Sequence, residues 1–92
     1  VFRLLAPQKA QDDSGAIVQV AGRDRVELLD PDGTVASIEV EFGPVTALYA
    51  DSLEVHSRGP EPVDPDRRVR MLERMLEGLQ AMGGTYEVIP GS

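Results

Sequence analysis

The residues of this chain that could do chemistry are few. One histidine, His56, stands two residues after Glu54. On a strand, positions two apart share a face, so Glu54 could orient the imidazole as a general base, with Asp51 a further carboxylate close in sequence. The same spacing describes an ordinary histidine at a strand end, bathed in water and facing no substrate. The serines (Ser14, Ser37, Ser52, Ser57 and Ser92) lie outside any glycine-flanked nucleophile elbow, and a single histidine limits any triad. Asp30-x-Asp32-Gly33 has the opening of a calcium loop without its later oxygen ligands or closing glutamate, which leaves a turn. Gly83-Gly84 follows a helix instead of opening one, so it is no phosphate cradle. Cysteine is absent, which removes disulfides and thiolate metal sites. The expectation is a protein that is not an enzyme, with no catalytic, cofactor or metal-binding residue.

Charge is the more informative chemistry. The formal net charge is −7 over 92 residues. Residues 1–57 hold most of the imbalance: Arg3, Lys9, Arg23 and Arg25 stand against Asp12, Asp13, Asp24, Glu27, Asp30, Asp32, Glu39, Glu41, Asp51 and Glu54. Such a field repels nucleic-acid phosphates and attracts a basic protein surface. Acidic surfaces also serve plain solubility. The one basic cluster is Arg67, Arg68, Arg70 and Arg74, interleaved with Asp64, Asp66, Glu73 and Glu77, which reads as a solvated face of intrahelical pairs.

The elements that carry these groups follow from pattern. Residues 64–82 predict a helix. Asp64 is placed to cap it, Pro65 suits the first helical position, and Gly83-Gly84 ends it. Val69, Leu72, Met75, Leu76, Leu79 and Met82 form an apolar face; Arg67, Arg70, Glu73, Arg74, Glu77 and Gln80 form the opposite one. Met71 and Gly78 fall on the border. Gly78 is either tolerated there or marks close approach of another backbone. Arg68 is expected to snorkel past the sheet edge or to pair with a strand carboxylate such as Glu54.

Strands are expected at residues 1–5, 16–21, 25–29, 34–42, 45–50, 53–56 and 85–89. Residues 8–15 read as a polar turn and Asp30-Pro31-Asp32-Gly33 as a hairpin turn. In residues 37–42, Ile38, Val40 and Phe42 alternate with Ser37, Glu39 and Glu41, which gives a half-buried strand with an acidic outer side. Residues 58–63 form an extended connection into the helix. The whole predicts a single α+β domain over residues 1–92: a mostly antiparallel sheet of short strands (1–57), one amphipathic helix packed on one face (64–82) and a closing strand (85–89) that could lie parallel to its neighbour.

The hydrophobic fraction of 41% suits one modest core. No apolar run approaches a membrane span, and residues 1–6 are too short for the apolar region of a signal peptide. A cytoplasmic protein is expected, without membrane or nucleic-acid partners.

The stretch YADSLEVHSRGPEPVDPDRRVRMLERMLEGLQAMGGTYEVI, residues 49–89, resembles a family of small immunity proteins of bacterial polymorphic toxin systems, immunity protein seventy-four. The resembling parts are Tyr49, Ser52-Leu53, the connector from Pro60 to Asp64, the helix from Arg67 to Met82, Gly83-Gly84 and Glu87-Val88. The family pattern has a tryptophan near the position of His56, and this chain has none. The resemblance implies a cytoplasmic inhibitor that binds and neutralises a cognate toxin, and an acidic surface suits a basic toxin. The expected contact residues are Glu39, Glu41, Tyr49, Asp51 and Glu54. The alternative is an accessory domain that pairs with a second copy of itself through edge strands, a homodimer without catalytic activity.

Overall fold

The computed structural model describes residues 2–56 and 64–89. These residues form an α+β fold: among them, one α-helix is laid on one face of an eight-stranded, mostly antiparallel sheet. The strands are β1 (Arg3–Ala6), β2 (Lys9–Gln11), β3 (Ile17–Val20), β4 (Arg25–Leu29), β5 (Val35–Glu41), β6 (Thr46–Tyr49), β7 (Glu54–His56) and β8 (Tyr86–Ile89). The helix α1 (Pro65–Ala81) lies between β7 and β8 in sequence. The sheet order is β1-β2-β3-β4-β5-β6-β8, with β7 also paired to β5. Strands β1 to β5 form an antiparallel meander, and β8 runs parallel to β6, as a helical crossover permits.

The meander contains a strand that residues 8–15 did not predict. Lys9-Ala10-Gln11 has a single apolar residue, too little to signal a strand, yet it is paired on both sides, to β1 and β3. Its Ala10 is fully buried. The first strand is accordingly displaced to Arg3–Ala6. The β4–β5 turn forms as its residues dictate: Gly33 takes φ +92° and donates its N–H to the Asp30 carbonyl at 3.0 Å. Asp12 builds the β2–β3 turn, its carboxylate accepting from the N–H of Ser14 at 2.9 Å and of Ala16 at 3.1 Å.

Strand β4 lines one edge of β5; β6 and β7 share the other. From Ser37 to Val40 is three steps along β5, whereas their partners, Glu54 and Leu48, are six apart. The surplus is a three-residue 3-10 turn, Ala50–Ser52, looped out of an otherwise continuous strand line. Ser52 mends the gap. Its hydroxyl accepts from the Glu39 N–H at 2.8 Å and donates to the Tyr49 carbonyl at 2.6 Å, relaying a ladder bond across the break.

The helix is capped as predicted, with the Asp64 carboxylate accepting from the Arg67 N–H at 2.8 Å. Its buried face, however, is rotated. Met71, Met75, Gly78 and Leu79 are buried against the sheet and the predicted Leu72, Leu76 and Met82 pack half-buried beside them, while Val69 is 57% exposed. Gly78 explains the rotation. A Cβ at this position would lie 2.6 Å from Cβ and Cγ2 of Val18, so the helix backbone rests directly on β3. Close approach, not tolerance, accounts for this glycine. The core joins Val18, Val26, Leu28, Ala36, Ile38, Val40 and Leu48 from the sheet to Met71, Met75 and Leu79 from the helix.

Arg70 is exposed, as a solvated face requires, but its three neighbours in the cluster are engaged with the sheet. Arg67 donates to Asp32 at 2.6 Å, Thr34 at 3.1 Å and Asp30 at 3.3 Å. Arg74 donates to Ser14 at 2.7 Å and Asp12 at 2.8 Å, with Asp30 at 3.5 Å. Two helix cations thus clasp the β2–β3 and β4–β5 turns. Arg68 donates to the Leu53 carbonyl at 2.7 Å and not to Glu54. The predicted connection over residues 58–63 falls outside the described residues.

Candidate protein-binding face

Because α1 covers one side of the sheet, the alternation of each strand decides what the other side shows. On β5, Ala36, Ile38 and Val40 point to the helix, so Glu39 and Glu41 point away and are exposed. On β6, Leu48 is buried toward the helix and Tyr49 takes the opposite face. The Tyr49 hydroxyl donates to Glu41 at 2.7 Å. That bond, the charge of Glu41 and, less strongly, partial burial and the charge of Glu39 hold the phenol above its usual ionisation range. Tyr49, Glu39 and Glu41 therefore form one negative group on the open face.

Glu54 joins them. It opposes Ser37, two residues before Glu39, and is exposed. Asp51 is exposed in the 3-10 turn between Tyr49 and Glu54. All five predicted contact residues thus occupy one end of the sheet, around the break that Ser52 bridges. His56 lies 3.8 Å from Glu54, with side chains 74% and 65% exposed, so the pair stands in open solvent. Among the described residues, no group of three or more histidine, aspartate or glutamate side chains is arranged to hold a metal ion. No described helix is long and apolar enough to cross a membrane.

Strand register adds residues that the sequence reading missed. Glu27 on β4 opposes Ser37, placing it in one cross-strand row with Glu54, and it accepts from Gln19 at 3.1 Å. Arg25 opposes Glu39, Glu87 on β8 opposes Ala47, and Ile89 opposes Tyr49. A second row is apolar at its centre: Gln11, Ile17, Leu29, Val35 and His56 are successive partners across five strands. Ile17, Leu29 and Val35 are each half-buried, and the described helix packs on the opposite face of the sheet. The alternation in Arg25–Leu29 does signal that Glu27 and Leu29 share a side, but only pairing reveals what stands beside them.

Comparisons of the chain with protein-family models, with curated proteins and with solved structures find no match.

Proposed function

We propose that this chain is a protein-binding module whose open sheet face engages a basic partner, and that it acts as an immunity-type inhibitor of a bacterial toxin in the cytoplasm. The observation that carries this reading is the gathering of Glu39, Glu41 and Glu54 around Tyr49 on the side of the sheet that the helix leaves uncovered, with Asp51 exposed in the adjoining turn. An inhibitor needs a surface more than a catalytic constellation. Carboxylates steer a cationic partner, and a tyrosine already fixed by its own hydrogen bond loses little freedom on docking. The resemblance over residues 49–89 supplies the toxin as the kind of partner, and a basic nuclease suits the charge.

The test is co-expression with the product of the neighbouring reading frame. Rescue of growth by the native chain, lost in the Glu39→Arg, Glu41→Arg double variant while that variant stays folded, supports the reading. A neighbouring product that is not toxic, or rescue that survives the charge reversal, overturns it.

A second reading, self-association through an edge strand, is favoured by β1. Among the described residues this strand has a neighbour on one side only, and its Leu4 and Leu5 are 53% and 54% exposed. Light scattering that shows a monomer at all concentrations would exclude it.

A further inference from the structure

We infer that the open face receives a basic amphipathic helix of the partner, seated on Ile17, Leu29 and Val35; this rests on the protein-binding reading above and specifies the partner's binding element. The three side chains are consecutive cross-strand neighbours, Ile17 opposite Leu29 and Leu29 opposite Val35. Adjacent strands are about 4.8 Å apart, so the stripe spans roughly 10 Å. Two turns of a helix, positions i to i+7, advance about 10.5 Å, and its apolar residues at i, i+3 or i+4, and i+7 match the three strand positions.

The flank of the stripe fixes the charge of the occupant. Glu27 is two residues from Leu29 on the same face, and Glu54 is two residues from His56, so both carboxylates lie one row to the same side; Lys9 closes that row beyond Gln19, which leaves it two carboxylates to one lysine. A helix with leucines in a stripe and lysines or arginines along one edge meets both rows at once. An apolar centre with a charged rim is the usual anatomy of a protein interface. A second copy of this chain is the wrong occupant, because it carries a net charge of −7 and would bring its own Glu27 and Glu54 against these.

The experiment titrates the isotopically labelled chain with two synthetic peptides of identical leucine, lysine and alanine composition. One is ordered to give a leucine stripe flanked by lysines on a helix; the other is scrambled. The ordered peptide is expected to bind at least about tenfold more tightly and to shift the signals of Ile17, Leu29, Val35 and Glu27. Ile17→Thr with Leu29→Thr, which keeps strand-compatible residues, is expected to erase that preference while leaving the spectrum dispersed; Ile17→Thr alone serves if the pair unfolds. Equal binding of both peptides overturns the helix inference and leaves the acidic-face reading standing. Failure of both peptides to bind at low salt overturns both. Sedimentation showing dimers that the Ile17→Thr variant dissolves would make a second copy the occupant, and would also overturn the inference.

Discussion

Gly78 of the helix and Val18 of β3 are in backbone-to-side-chain contact: the position a Cβ would take on Gly78 is 2.6 Å from two carbons of Val18. Cβ of Val18 is one of them, and no rotamer change can move it. Gly78→Ala should therefore destabilise the fold although alanine is the better helix former. Overpacking costs about 1–3 kcal/mol, and the propensity gain of about 1 kcal/mol offsets only part of it. Denaturant unfolding of the variant measures the balance; a more stable protein would show that the helix can lift away from β3 freely.

The clasp of Arg74 on Asp12 predicts an acid response. Partial burial of the Asp12 carboxyl would by itself raise its pKa, but hydrogen bonds from Ser14, Arg74 and the Ala16 N–H outweigh it and bring the value from 3.8 down to about 2. A carboxylate with a lowered folded pKa contributes stability that is complete above its unfolded value and is lost as pH falls through the folded one. The clasp should hold above about pH 4 and fail progressively toward pH 2. Carbon-detected titration by NMR should find Asp12 ionised to about pH 2 in the native chain, and its midpoint should rise in Arg74→Ala.

That variant should also lose folding free energy. The side chains are 29% and 14% exposed, between a surface pair and a buried one, so a loss of about 1–2 kcal/mol is expected. A smaller effect in 1 M salt than in dilute buffer would mark it as electrostatic.

Ser52→Ala should leave the Glu39 amide without its acceptor. The site is near the surface, so water can substitute and the stability change should be no more than about 1 kcal/mol. Hydrogen exchange is the sharper probe. The Glu39 N–H should exchange faster in the variant while the amides of β4 keep their protection.

Tyr49 and Glu41 can be tested by light absorption. The hydrogen bond from the phenol to Glu41 is the largest contribution to its raised pKa. Glu41→Gln should lower the pKa of one of the two tyrosines toward 10, and the other, Tyr86, raised by burial, should be unmoved. If neither moves, Tyr49 and Glu41 are not paired in solution.

What the sequence made legible was local. The Asp64 cap, Pro65, the paired glycines and the Asp30–Gly33 turn act within a few residues, and each formed as its chemistry dictates. What it hid was non-local. Lys9–Gln11 is a strand only because β1 and β3 flank it. The helix face turned because Gly78 must meet Val18, sixty positions away. Arg74 reads as a solvent residue until the β2–β3 turn, 62 positions earlier in the chain, brings Asp12 to it. The acidic alternation of β5 was visible, and so were the five contact residues as candidates; their assembly with Glu27, Ile17, Leu29 and Val35 required the register.

The parallel pairing of β8 with β6 sets an order of events for folding. Strands β1 to β5 are joined by short turns, so each hairpin can close with little loss of chain entropy. β8 cannot join until the intervening chain has been laid down, because Thr46 must find Tyr86 forty positions on. The meander is therefore expected to form early and the last strand to lock late, giving the end of the sheet that carries Tyr49 the slowest assembly in the molecule.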